Sequence, residues 1–72
     1  MTLLKITLNG KETDVAEGSA LGDLIKSLGL NPQRLAIELN RRIVRRADWH
    51  STAISEGDKV EIVHFVGGGE SN

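Results

Sequence analysis

The sequence predicts an α+β domain in which a mixed sheet of four to five strands packs on one α-helix. Three observations carry that prediction. Leu4, Ile6 and Leu8 alternate with polar residues and run into Asn9-Gly10, the pattern of a half-buried strand entering a two-residue hairpin. Leu21, Leu24, Ile25 and Leu28 recur at i, i+3, i+4 and i+7, which sets four apolar side chains on one helical face. After them the alternation returns twice, in Leu35–Leu39 and in the run from Lys59 to Val66.

In the first hairpin both residues of Asn9-Gly10 can adopt positive φ. A two-residue loop then sets Leu8 opposite Lys11, Ile6 opposite Thr13 and Leu4 opposite Val15. The return strand, Lys11 to Val15, is the more polar one; it belongs at an edge or is short, with Val15 inward. Gly18-Ser19 opens the helix, where the Ser19 hydroxyl is expected to accept a free N–H of the first turn. Gly29 ends the helix in the left-handed region with Leu30 packed behind it, and Pro32 prevents its resumption. These signals bound the helix at about residues 20–28.

Leu35, Ile37 and Leu39 form the next strand. Asn40-Arg41 turns it, and Arg42-Ile43-Val44 returns with Val44 opposite Ile37. Ala47-Asp48-Trp49 breaks the alternation as a short turn or single helical turn whose indole plugs the open end of the core. Glu56-Gly57-Asp58 is a turn, and Lys59 to Val66 is the last strand, with Val60 and Ile62 inward. The order is β-β-α-β-β-β. One helix needs a sheet to cover its apolar stripe, and a last strand lying between the hairpins, beside the first strand, joins all five. That arrangement is the β-grasp, or ubiquitin-like, fold. Residues 1–66 are expected to form it. Residues 67–72 are expected to be a flexible tail, because consecutive glycines lose the most entropy on ordering.

The composition narrows the chemistry. At 72 residues the core is thin, with about 60% of the unfolded surface buried. There is no cysteine, hence no disulfide, thiolate ligand or thiol nucleophile. No apolar run approaches the roughly 20 residues of a membrane span, and no signal-peptide stretch opens the chain; the expectation is a soluble, cytoplasmic protein. His50 and His64 lack partners at ligand spacing, and the serines and histidines suggest no triad. Gly67-Gly68-Gly69 lacks the lysine and following helix of a phosphate loop. No catalytic residue, metal or bound cofactor is expected, and the chain reads as a non-enzyme.

Net charge is −1, yet five arginines face one acid, Glu38, between Arg34 and Arg46. Arg41, Arg42, Arg45 and Arg46 therefore have two readings, a solvated hairpin tip or a docking surface for an acidic partner. Nucleic acid is disfavoured, since only Trp49 and Phe65 are available for stacking. In the last strand Val63 and Phe65 fall on the face away from the helix, an apolar contact patch beside the glycines, unless a bulge returns Phe65 to the core.

The run from Gly57 through Phe65-Val66-Gly67-Gly68-Gly69 resembles the end of the thiamine-pathway sulfur carriers, the ThiS family. Leu39-Asn40 with Ile43-Val44, and Trp49 after the arginines, share that resemblance, which spans Leu3 to Gly69. The small subunit of molybdopterin synthase is related by fold and by a Gly-Gly end. The resemblance implies that an E1-like partner (ThiF) adenylates the Gly69 carboxylate with ATP, and that sulfur then replaces AMP. The resulting thiocarboxylate feeds thiazole synthase (ThiG), with a cysteine desulfurase or similar protein as sulfur donor. With the residue readings above, the expected site is Gly67 and Gly68 as the thread and Val63, Phe65, Val66, Arg41 and Arg42 as partner contacts, with no cofactor beyond the partner's ATP.

One departure bears on that chemistry. The chain continues through Glu70-Ser71-Asn72, so the Gly69 carbonyl is part of an amide. Cleavage by a processing protease is the favoured explanation; the alternatives are three foreign residues, or a protein that acts only by binding. The alternative functions are a carrier for molybdopterin or cysteine synthesis, or a non-carrier interaction module.

Overall fold

Two tight turns set the register of the sheet. Asn9 and Gly10 hold φ values of 49° and 80°, the left-handed pair whose twist matches the strands they join. They set β1 (Leu3–Leu8) against β2 (Lys11–Ala16), with Leu8 opposite Lys11, Ile6 opposite Thr13 and Leu4 opposite Val15, as expected. Asn40 and Arg41, at 53° and 71°, likewise set β3 (Leu35–Leu39) against β4 (Arg42–Val44), and Val44 faces Ile37. These elements come from a computed structural model of the chain that describes residues 2–65. The expectations placed on Val66 and on residues 67–72 lie outside the described residues.

β5 (Lys59–His64) joins the hairpins in the order β2-β1-β5-β3-β4. It runs parallel to β1 and antiparallel to β3, which is the β-grasp arrangement, and β2 lies at an edge. The two sides of β5 are not equal. β1 pairs with it only at Lys59 and Val60 before the chain turns away at Asn9. Asn9 itself then continues the ladder: its N–H donates to the Val60 carbonyl (2.9 Å), and its side-chain oxygen accepts the Ile62 N–H (2.7 Å). Asn40 does the same from the opposite side, accepting the Lys59 N–H at 2.9 Å. Both turn asparagines thus supply positive φ and a hydrogen-bond acceptor for β5. Asn9→Gly keeps the first and removes the second, so it is expected to cost about 1–3 kcal/mol, the penalty of an unpaired buried N–H. Urea denaturation measures it; an unchanged midpoint would show that the turn conformation alone matters.

The helix, α1 (Leu21–Ser27), differs from expectation at its start. Ser19 does not cap it. The N-cap is Ala20, one residue later, and the Asp23 carboxylate reaches back to accept the Ala20 N–H at 2.8 Å, the carboxylate half of a capping box. Ser19 instead offers its carbonyl to Ile54 N–H at 2.9 Å. At the other end the helix closes as expected. Gly29 takes φ +71°, its N–H donates to Lys26 and that of Leu30 to Ile25, the paired bonds of a Schellman turn. Leu28, assigned to the apolar face, is 43% exposed. It lies beside Leu24 and Val15, against the edge strand, where no further strand remains to cover it.

Asn31 caps a short 3₁₀ turn (Pro32–Arg34) by accepting the Gln33 N–H, an element not anticipated from the sequence. A second 3₁₀ turn (Arg46–Ser51) carries Trp49 into the core, and its Nε1–H donates to the Val44 carbonyl at 2.8 Å. The indole does close the core. Ile6, Leu21, Ile37 and Val60 are the largest fully buried side chains. No helix among the described residues is long and apolar enough to cross a membrane.

Candidate functional site

β5 alternates as a strand must. Val60 and Ile62 are buried under α1, and Val63 and Phe65 are 54% and 58% exposed on the helix-free face. No bulge returns Phe65 to the core. Its N–H donates to the Arg34 carbonyl at 2.8 Å, which ties the residue after β5 to the segment that leads into β3. Val63 faces Ala36 across the β5–β3 pair. Ile43, the most exposed large apolar side chain, projects from β4 on the same face, opposite Glu38. The site is therefore an apolar strip over β5, β3 and β4 that ends at the root of the tail.

A like-charge pair interrupts this strip. Glu61 and Glu38 lie directly opposite each other, an arrangement that costs stability in antiparallel strands. Arg41 and Lys59 line the same hollow and offset part of the repulsion. Glu61→Gln is expected to raise stability by about 0.2–1 kcal/mol, visible as a melting temperature a few degrees higher. A lower melting temperature would mean that the cations already over-compensate the pair. On β1 and β2, Lys5 and Asp14 form an ion pair at 3.2 Å. The hydrogen bond and charge of Asp14 raise the Lys5 pKa above its ordinary value.

The arginines that stand together in the sequence are not gathered in space. Arg41 belongs to the hollow beside Glu38. Arg42 faces Leu39 across the β3–β4 pair, and Arg46 lines a separate groove beside α1. His50 and His64 are both exposed. Among the described residues no group of three or more histidines and acids could hold a metal ion. Of the expected site residues, Val63 and Phe65 share one face with Arg41 nearby; Val66, Gly67, Gly68 and Gly69 lie outside the described residues.

Sequence reasoning missed the groove beside α1 altogether. Its one local signal was Gly22, inside the helical pattern, where glycine costs stability unless a neighbour must come close. A Cβ there would meet the His50 Cα at 3.5 Å.

Comparison with known proteins agrees with this geometry. The sequence model of the ThiS family matches residues 4–69. A thiazole synthase of Magnetococcus marinus is 37% identical over 67 residues, which cover 93% of this chain and 21% of that protein; the chain thus spans about a fifth of that relative's length. The sulfur carrier protein ThiS of Bacillus subtilis is 34% identical over 65 residues, 89% of this chain and 98% of that one. The crystal structure of a thiamine biosynthesis protein (ThiS) from Geobacter metallireducens superimposes with a TM-score of 0.80 at 32% identity. That match covers 92% of this chain and the whole of the other.

Proposed function

This chain belongs to the ThiS family, and on that premise we propose that it is a sulfur carrier of thiamine biosynthesis whose working group is the carboxylate of Gly69, freed by removal of residues 70–72. The observation that carries this reading is where the family match stops, at the last of the three glycines. The geometry supports it. The sheet holds the chain as far as Phe65, and Gly69 follows four residues later with only Val66 and two glycines between them.

A carboxylate is a poor acyl donor because its leaving group would be an oxide. Attack of a Gly69 carboxylate oxygen on the α-phosphorus of ATP expels pyrophosphate and leaves an acyl-adenylate. Hydrosulfide, or a persulfide donor such as a cysteine desulfurase together with a reductant, then attacks the carbonyl carbon. A C–S bond replaces the C–O bond and AMP departs with the bonding pair. The tail itself contains no cation, so an E1-like partner (ThiF) must hold the phosphates and the developing oxyanion. Glycines let the terminus enter such a site, since a Cβ would widen the thread. Thiazole synthase (ThiG) is the proposed acceptor of the sulfur, since a thiazole synthase of Magnetococcus marinus is among the relatives of this chain. The carrier contributes a terminus and a docking face while its partners catalyse. The need for ATP and reduced sulfur fits a cytoplasmic setting, and cleavage after Gly69 requires a protease.

Incubating a chain that ends at Gly69 with ATP, the adenylating partner and sulfide should add about 16 Da to its intact mass, the exchange of oxygen for sulfur at the acyl carbon. An unchanged mass in the presence of active partner would refute the carrier reading. Glu70-Ser71-Asn72 favours one competing reading, a ubiquitin-like interaction module that uses no terminus. It predicts partner binding that survives deletion of Gly68 and Gly69.

A further inference from the structure

We propose that the groove between α1 and the second 3₁₀ turn is a second docking site, one that receives a segment of the thiazole synthase presenting an apolar side chain flanked by carboxylates. This inference rests on the sulfur-carrier reading for the identity of the partner. Its chemistry comes from the groove itself.

Gly22 lines the groove at the first turn of α1. The first turn of α1 lies against the backbone of Trp49 and His50, close enough that a Cβ at Gly22 would sit in contact with both residues. The Schellman turn at Gly29 then carries Leu30 and Pro32 across to form the far wall, with Ile25 and Trp49 below. The cavity is about 310 Å³, at the lower end of the range for small-molecule sites. That is enough for one or two apolar side chains.

Its charge is one-sided. Lys26 and Arg46 line it together with His50, and among the described residues no carboxylate does. Neither Lys26 nor Arg46 forms an ion pair within 4.0 Å among the described residues. An apolar floor beside two unpaired cations is complementary to an apolar residue next to aspartate or glutamate, and oppositely charged patches of this kind guide encounter and register. The groove also lies on the segment that holds the end of β5. Pro32, in its wall, is two residues from Arg34, whose carbonyl receives the Phe65 N–H. A protein that holds the glycine thread therefore has this groove within reach on the helix side, while Val63 and Phe65 face it from the other.

The test uses the isotope-labelled chain ending at Gly69 and the thiazole synthase of the same cell. Calorimetry gives the affinity, and amide spectra report the contact. Binding should shift the Gly22, Leu30 and His50 amides. The double variant Lys26→Glu, Arg46→Glu should bind at least about tenfold more weakly, the usual scale for buried charge contacts, while Lys11→Glu on β2 should bind as the parent does. A folded double variant with unchanged affinity would overturn the groove assignment and leave the carrier reading intact. So would the same amide shifts on concentrating the chain alone, which would assign the groove to a second copy, or on restoring residues 70–72, which would assign it to the chain's own tail. No binding by the parent chain would overturn the partner assignment of both readings.

Discussion

Trp49→Ala is expected to move the unfolding midpoint of the domain far toward lower urea concentration. The indole is 4% exposed and closes the end of the core, and truncating a buried tryptophan to alanine costs about 3–5 kcal/mol. The Val44 carbonyl, which accepts the indole N–H at 2.8 Å, loses its donor as well. At about 0.05–0.15 kcal/mol per residue, a chain of this length has a total stability of roughly 4–11 kcal/mol, so this one change removes at least about a third of it. Urea denaturation followed by far-ultraviolet circular dichroism is the measurement, because the variant has no other tryptophan to report. Trp49→Phe separates the two contributions: it keeps most of the apolar volume and removes only the hydrogen bond, and should cost clearly less. Equal losses would place the whole effect in the hydrogen bond.

The second large effect is functional and leaves stability untouched. Gly68→Val, in a chain ending at Gly69, is expected to lower the rate of ATP-dependent thiocarboxylate formation by at least about a hundredfold, the scale on which a reacting group displaced by about 1 Å loses rate. Valine adds a branched Cβ to a thread that has to enter the partner's site, and it narrows the φ and ψ available one residue before the reacting carbon. The sheet makes its last described contact at Phe65, so the melting temperature should not change. A variant that reacts at the parent rate would show that the glycines are not needed for passage. A lowered melting temperature would show that the tail packs on the domain.

The two hairpins were legible in the sequence because their determinants are local. A side-chain period of two combined with a two-residue turn leaves one register with its apolar residues inward. Leu4 accordingly meets Val15 and Ile37 meets Val44. The outward placement of Val63 and Phe65 follows from the same parity. Features that depend on where one element stops against another were harder to read. Ser19 and Asp23 both stand at plausible capping positions, and the choice falls to Asp23 because Ala20 begins the helix. Leu28 continues the helical spacing, yet it faces the edge of a sheet whose extent the spacing cannot encode. Arg41 and Arg46, five residues apart, end on different surfaces because β4 and the 3₁₀ turn separate them. The groove beside α1 needs two distant segments in contact, residues 22–32 and 46–50, and only Gly22 hinted at it. The tail was read from its glycines and from resemblance, and it lies outside the described residues.

That tail carries the central claim, that Gly69 is the working end of the molecule, and one measurement addresses it directly. Intact-mass spectrometry of the protein isolated from its own cell reports its last residue and the chemistry of its terminus. The account predicts a chain ending at Gly69, as the carboxylate or the thiocarboxylate. A population that retains Glu70-Ser71-Asn72 throughout, in cells actively making thiamine, would contradict it.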